Sequence, residues 1–254
     1  MSNAPDMPVL KVEAVSKAFG GVLANRDVSL QIAHDEVHGL IGPNGAGKTT
    51  LISMLAGDLR PDHGRILLDG HDVTHVSAPE RAQMGIRRSF QITSVFSDLT
   101  VIANAVLACQ AIRGGTFRFW RPVQADAELY ELARATLAQV GIERLADRTA
   151  ASLSHGERRQ LELAMVLVGR PRILLLDEPF AGMGPEETAE MVERLRAIRK
   201  QQAMLVIEHD LDALFTLADR LTVLVMGAPI ASGDTHTIRK DERVRAAYFG
   251  TRSA

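Results

Sequence analysis

The run Gly42-Pro43-Asn44-Gly45-Ala46-Gly47-Lys48-Thr49 places phosphate-binding and metal-binding groups within one short loop. Glycines in a G-x-x-x-x-G-K-T spacing let successive backbone N–H groups converge on a phosphate. Lys48 is positioned to reach β- and γ-phosphates, the Thr49 hydroxyl to coordinate Mg²⁺, and the helix that follows presents its positive end. A second constellation is Ile173-Leu174-Leu175-Leu176-Asp177-Glu178, an apolar strand that stops abruptly in two carboxylates. Such an ending is costly unless something cationic or protic meets it. Alone it also fits a strand that simply ends at the surface. Beside a phosphate loop, Asp177 can hold Mg²⁺ directly or through water, and Glu178 can accept a proton from attacking water. A third run, Leu153-Ser154-His155-Gly156-Glu157-Arg158-Arg159-Gln160, opens a helix through Val168. Ser154 with Glu157 fits a capping box, and a helix start bearing Ser and Gly is also an anion site.

Elements must carry these residues, and the hydrophobic pattern supplies them. Short apolar runs alternate with longer helical ones, the rhythm of an α/β protein. Val9–Val15 and Val28–Ile32 alternate like half-buried antiparallel strands, and Gly64–Leu68 and Gly85–Gln91 read as further strands. Val37–Ile41 leads into the phosphate loop, and a helix is expected from about Lys48 to Ala56. Ile173–Leu176, Met204–Ile207 and Leu221–Met226 are almost wholly apolar, as strands covered on both faces are. Between Pro185 and Lys200 the positions Ala189, Val192, Leu195 and Ile198 recur every three residues; acids open this helix and bases close it. From Leu99 to Gly169 no strand is expected. The division is therefore a sheet-bearing lobe (1–98 and 170–254) interrupted by a helical lobe (99–169).

With the three motifs in this order, the chain resembles the ATP-binding cassette (ABC) ATPases over nearly its whole length. The resemblance implies a P-loop NTPase fold, a mixed-sheet core lobe with an inserted helical subdomain, hydrolysis of ATP, and ATP with Mg²⁺ as ligands. It assigns Gly42, Pro43, Asn44, Gly45, Ala46, Gly47, Lys48, Thr49 and Thr50 to the phosphates, with Lys48 also offsetting charge in the reaction. Thr49 and Asp177 go to the metal, and Glu178 becomes the base. Gln91, in Ser89-Phe90-Gln91, matches the glutamine that approaches Mg²⁺ and the water and links the site to the helical lobe. His209, in Glu208-His209-Asp210, matches the switch histidine facing the γ-phosphate, and Phe19, before Gly20-Gly21, the aromatic that stacks on adenine. Ser154 and Gly156 fall on the Ser and second Gly of the L-S-G-G-Q signature, which in this family completes the ATP site of a second subunit. His155 replaces the first Gly, and Glu157 the Gln. Ala181-Gly182-Met183-Gly184 stands where the family's loop crosses the dimer interface, without its usual acidic residue.

Other features bound the function. Of 254 residues, 46% are apolar and 24% charged, with a net charge of −2, so nothing electrostatic points to nucleic acid or an anionic membrane. The single cysteine, Cys109, fits a reducing compartment. Met1 to Leu10 lacks the pattern of a secretory signal, and no apolar run is long enough to span a bilayer. His71 and His75 are four apart but lie in a turn-forming stretch rather than on a metal-binding helix. Arg87 and Arg88 read as a solvated strand end. Arg113–Arg121 holds three aromatics and three arginines and reads as a surface loop or packed insertion.

The expectation is an ATPase subunit that sits at the inner face of the cell membrane. Its partners would be a second cassette (a copy or a paralogue), transmembrane permeases and a periplasmic or extracellular substrate-binding protein. Asp72-Val73-Thr74, Gly85–Gln91, Ala181–Pro185 and the ending Ala246-Ala247-Tyr248-Phe249-Gly250 resemble the branched-chain amino acid uptake ATPases, whose urea and amide relatives share the pattern. The alternative is the lipopolysaccharide-export branch, which has a closely related signature. Soluble cassette ATPases of DNA repair or translation carry two cassettes or a long coiled coil, and this chain has neither. A GTP switch would need an N-K-x-D motif, absent here.

Overall fold

Alternation and apolar runs become strands. The computed structural model describes residues 7–89, 95–113 and 127–249. In chain order the elements begin β1 (Leu10–Phe19), β2 (Val22–Ile32), β3 (Val37–Ile41), α1 (Lys48–Ala56), β4 (His63–Leu68), β5 (His71–Asp72), α2 (Ala78–Met84) and β6 (Ile86–Arg88). Helices α3 (Val101–Arg113), α4 (Ala127–Gln139) and α5 (His155–Leu167) follow. The remainder is β7 (Ile173–Asp177), α6 (Pro185–Arg199), β8 (Ala203–Ile207), α7 (Leu211–Leu217), β9 (Arg220–Val225), β10 (Ala228–Asp234), α8 (Thr235–Lys240) and α9 (Glu242–Phe249).

Two sheets result. The strand order β2-β1-β4-β5 is antiparallel, while β10-β9-β3-β8-β7-β6 is parallel except for the β9–β10 hairpin. Period-two alternation sorts the six-stranded sheet's side chains onto two cores. Leu174, Leu176, Met204 and Val206 pack with α3, α4, α5 and α6 on one face. Ile173, Leu175, Leu205 and Ile207 meet α1 and the smaller sheet on the other. Truncating any of these large residues to alanine costs about 2–5 kcal/mol. Helices α3 to α5 share their cluster with the sheet face, so the helical segment is packed against the sheet.

Two strands run longer than their alternation suggests. β1 and β2 extend to Phe19 and back to Val22, and the register shifts between Val12 and Val15, Val15 and Lys17, and Lys17 and Ala18. Each shift breaks the period of two that sequence reading depends on. The strand expected over Gly85–Gln91 is only Ile86–Arg88 among the described residues. Most of the aromatic–arginine segment lies outside the described residues, as does Gln91.

The phosphate-loop helix is closed from a distance. Gly57 turns the chain at its end with φ 92°, and Arg81, 1% exposed, donates to the carbonyls of Met54 (2.7 Å), Leu55 (2.8 Å) and Thr74 (2.9 Å). Burial pushes this guanidinium's pKa down, with Asp72 and Asp58 opposing it.

Candidate functional site

The loop between β3 and α1 is shaped by glycine where nothing else fits. Gly47 is the residue before α1 at φ 95°, and a Cβ there would run into the Ala24 carbonyl and the Asn25 side chain. No side chain caps α1, so its first-turn N–H groups, those of Lys48, Thr49 and Thr50, are left for an anion. Neighbouring strands brace the loop: Asn25 Nδ2 donates to Gly47 O at 3.2 Å, and the Gly227 N–H, in the β9–β10 turn, donates to Ala46 O at 3.1 Å. Pro43, Asn44 and Gly45 stay exposed at the rim. Lys48 is folded back, its Nζ donating to Gly42 O at 2.6 Å and Pro43 O at 3.1 Å. Burial lowers its pKa, while the charges of Glu178 and Asp177 act the other way. Those two carboxylates are thus close enough to act on the lysine.

Asp177 ends β7 with its side chain 1% exposed, and its Oδ2 accepts from Arg88 Nη2 at 3.0 Å. This corrects the reading of Arg87 and Arg88 as a solvated strand end. Both arginines are at least half-buried, because β6 is an edge strand roofed by helices rather than open to water. Glu178 follows at φ 52°, a conformation uncommon for a residue with a side chain, and its N–H donates to Ile207 O. That turn brings Glu178 Oε1 to 3.0 Å from His209 Nε2.

Glu208 was not singled out in the sequence, yet it is only 4% exposed. Its Oε1 accepts from the Phe180 N–H at 2.7 Å and its Oε2 from the His209 N–H at 3.0 Å. Burial pushes its carboxyl above the usual range, and those N–H bonds hold it back. The signal available was a carboxylate directly after the apolar run Met204–Ile207, which must find donors once buried.

Phe19 ends β1 49% exposed, one ring face 5.7 Å from the Lys17 ammonium, and the strand partner β2 reaches the phosphate loop through Asn25. Ser154 caps α5: its Oγ accepts from the Glu157 N–H at 3.2 Å, and Glu157 Oε2 accepts from the Ser154 N–H at 2.9 Å. That capping box uses the hydroxyl as an acceptor and leaves its proton free to donate. Gly156 lies tight against Glu187, and His155 Nε2 is 3.1 Å from Ala181 O. Among the described residues, no hydrogen bond joins Ser154 or Gly156 to the phosphate loop. The structure therefore gathers Lys48, Asp177, Glu178 and His209 at the ends of β3, β7 and β8, while the signature reaches Ala181 through His155.

A phosphate loop, paired acids at a neighbouring strand end and a histidine beside them define a nucleoside-triphosphate hydrolase of the P-loop class. The chain belongs to the ABC transporter family, whose match covers residues 25–181. It is an ABC ATPase. It is 37% identical over 96% of its length to the high-affinity branched-chain amino acid transport ATP-binding protein LivG of Escherichia coli (strain K12), covering 98% of that protein. Identity to the lipopolysaccharide export system ATP-binding protein LptB of Acidithiobacillus ferridurans is 34% over 95% of this chain and 97% of that one. The ADP conformation of MJ1267, an ATP-binding cassette of an ABC transporter, superposes with a TM-score of 0.87 at 30% identity, covering 96% of this chain and 99% of that one.

Proposed function

We propose that this chain powers the uptake of branched-chain amino acids, or related amides or urea, through membrane-spanning permeases. The observation that carries the hydrolytic half is the 3.0 Å Glu178–His209 pair beside the buried Lys48. In this reading Glu178 takes the proton from attacking water, His209 helps hold the γ-phosphate, and Lys48 leaves the Gly42 and Pro43 carbonyls to offset developing charge. Phe19 offers its open face to the adenine. Ser154 and Gly156, with no hydrogen bond to their own phosphate loop among the described residues, serve the ATP of a second cassette, so the working unit is a head-to-tail pair enclosing two nucleotides.

The donor set fits Mg²⁺: Asp177 Oδ1 has no hydrogen-bond partner among the described residues, and Thr49 keeps its side chain exposed beside Lys48. Thr49 and Asp177, with Gln91 by family resemblance, would hold the ion. Its contribution is to offset phosphate charge.

Among the described residues no helix is long and apolar enough to cross a membrane, so permeases must do the spanning. A groove of about 260 Å³, lined by Arg87, Val95, Ala108, Ile112, Glu162 and Met165, supports a docking place for a permease segment. Arg87 Nε and Glu162 Oε1 are buried there with no hydrogen-bond partner among the described residues. An incoming segment with an acceptor and a donor would satisfy both. The chain would then lie at the inner face of the membrane, in a system that also includes a substrate-binding protein outside.

The deciding experiment is a mild-detergent pull-down of the tagged chain from its native membranes, with every co-purifying protein identified. Amino-acid-type permeases and a second cassette are expected. Lipopolysaccharide-export membrane subunits would replace uptake with export, and an active ATPase with no membrane partner would overturn transport.

A further inference from the structure

Arg88 is bonded to three groups that sequence reading left unconnected. Its Nη2 donates to Asp177 Oδ2 at 3.0 Å, while its Nη1 donates to Ser53 Oγ at 3.0 Å and Asp58 Oδ2 at 2.9 Å. Ser53 belongs to α1, the helix that begins with Lys48 and Thr49. One guanidinium therefore ties the strand that presents the acid to the helix that presents the phosphate loop. The arm to Asp177 is well shielded, with side-chain exposures of 16% for Arg88 and 1% for Asp177, whereas Asp58 is half exposed. A carboxylate this buried needs a fixed counter-charge. Only the planar fork of arginine serves acceptors in different directions from a single rigid group; a lysine ammonium is a point charge. The bond takes Oδ2 and leaves Oδ1.

We propose that Arg88 is a positioning residue for the metal-side carboxylate, fixing Asp177 relative to the phosphate loop so that Mg²⁺ and nucleotide bind as one unit. The proposal rests on the reading of Asp177 as that carboxylate. Arg88 and Asp58 also line the groove proposed for the permease, so the metal carboxylate and the docking place share one side chain. What binds in the groove then bears on the same guanidinium.

The test uses the full chain and ATP itself, with affinity measured in excess chelator and again with Mg²⁺, and hydrolysis followed against Mg²⁺ concentration. Arg88→Ala is expected to bind ATP without metal within about twofold of the wild type, because the phosphate loop is untouched. With metal present it should lose most of the Mg²⁺-dependent gain and need about 10–100-fold more Mg²⁺ for half-maximal hydrolysis. Arg88→Lys should recover only part of that loss. Asp177→Asn should show the same Mg²⁺ defect.

Equal loss of ATP affinity with and without metal in Arg88→Ala, or full recovery by lysine, would overturn the proposal. So would an unchanged Mg²⁺ requirement in Arg88→Ala while Asp177→Asn shifts it. If Asp177→Asn itself leaves the Mg²⁺ dependence unchanged, the metal-side assignment of Asp177 fails and this inference goes with it.

Discussion

His209 Nε2 and Glu178 Oε1 lie 3.0 Å apart, so the proposed base and the proposed phosphate sensor already touch across the ends of two neighbouring strands. The pairing depends on the backbone of Glu178, held at φ 52° by its N–H bond to Ile207 O. Glu178→Gln keeps the shape and removes the proton acceptor. ATP binding should persist, an ATP-bound dimer should accumulate in size-exclusion chromatography, and turnover should fall by about 10²–10⁴-fold. Near-normal turnover would exclude Glu178 as the base.

Lys48 should matter for phosphate and little for the empty protein. At a hundredfold excess over its dissociation constant, a ligand stabilises the folded state by about 2.7 kcal/mol, which appears as a rise in melting temperature. The wild type should show that rise with ATP, and Lys48→Ala should lose it. An undiminished ATP-dependent rise in Lys48→Ala would contradict the phosphate role.

Glu208 anchors two loops with two oxygens, and an amide has only one to offer. In Glu208→Gln either Phe180 or His209 must point its N–H at the new NH₂ group, at a cost of about 1–3 kcal/mol. The variant should lose kcat with little change in KM for ATP, because the phosphate-loop contacts are untouched. Steady-state kinetics with wild-type kcat would show that the Glu178–His209 pair keeps its geometry without this anchor.

Burial pushes the pKa of Glu162 up, against the pull of Arg159, whose Nη1 lies 2.9 Å from its Oε2. A carboxyl whose folded-state pKa exceeds its unfolded value favours folding at low pH, and that contribution is lost as pH rises through the folded pKa. Glu162→Gln cannot titrate. It should therefore melt higher than the wild type at pH 8, by about 2–4 °C for each kcal/mol recovered, with the difference shrinking toward pH 5. A difference independent of pH would remove ionisation of Glu162 as its cause. In membranes the same variant should weaken permease association, since an amide oxygen is a weaker acceptor than the carboxylate for a donor entering the groove.

Much of this was legible in the residues. The strand before Gly42, the helix after Lys48 and the carboxylates ending Ile173–Leu176 all follow from local pattern, because a parallel strand buried on both faces is apolar throughout and the glycine-rich loop marks where the helix begins. Arg88 looks solvated in the sequence because exposure is a tertiary property: two arginines at the end of a short strand carry no sign of α1, α2 and α5, which pack on β6. Glu208 was passed over for a related reason, since the donors that satisfy it come from Phe180 and His209, 28 residues and one residue away. The separation of Ser154 and Gly156 from the phosphate loop was implied by family resemblance, whereas their capping by Glu157 was visible in the spacing alone.

The fully buried Arg81 carries a consequence for how the molecule is made. The loop and its helix are complete in sequence by Ala56, but at the end of that helix the Leu55 carbonyl finds a donor, and the Met54 carbonyl a second one beside the Gly57 N–H, only when Arg81 arrives from α2. During synthesis on a ribosome, the far end of that helix must therefore wait, unfinished, while β4 and β5 are threaded out. The loop itself waits longer still for one of its braces, the Gly227 N–H on Ala46 O, so its full set of contacts arrives late, together with the tertiary fold.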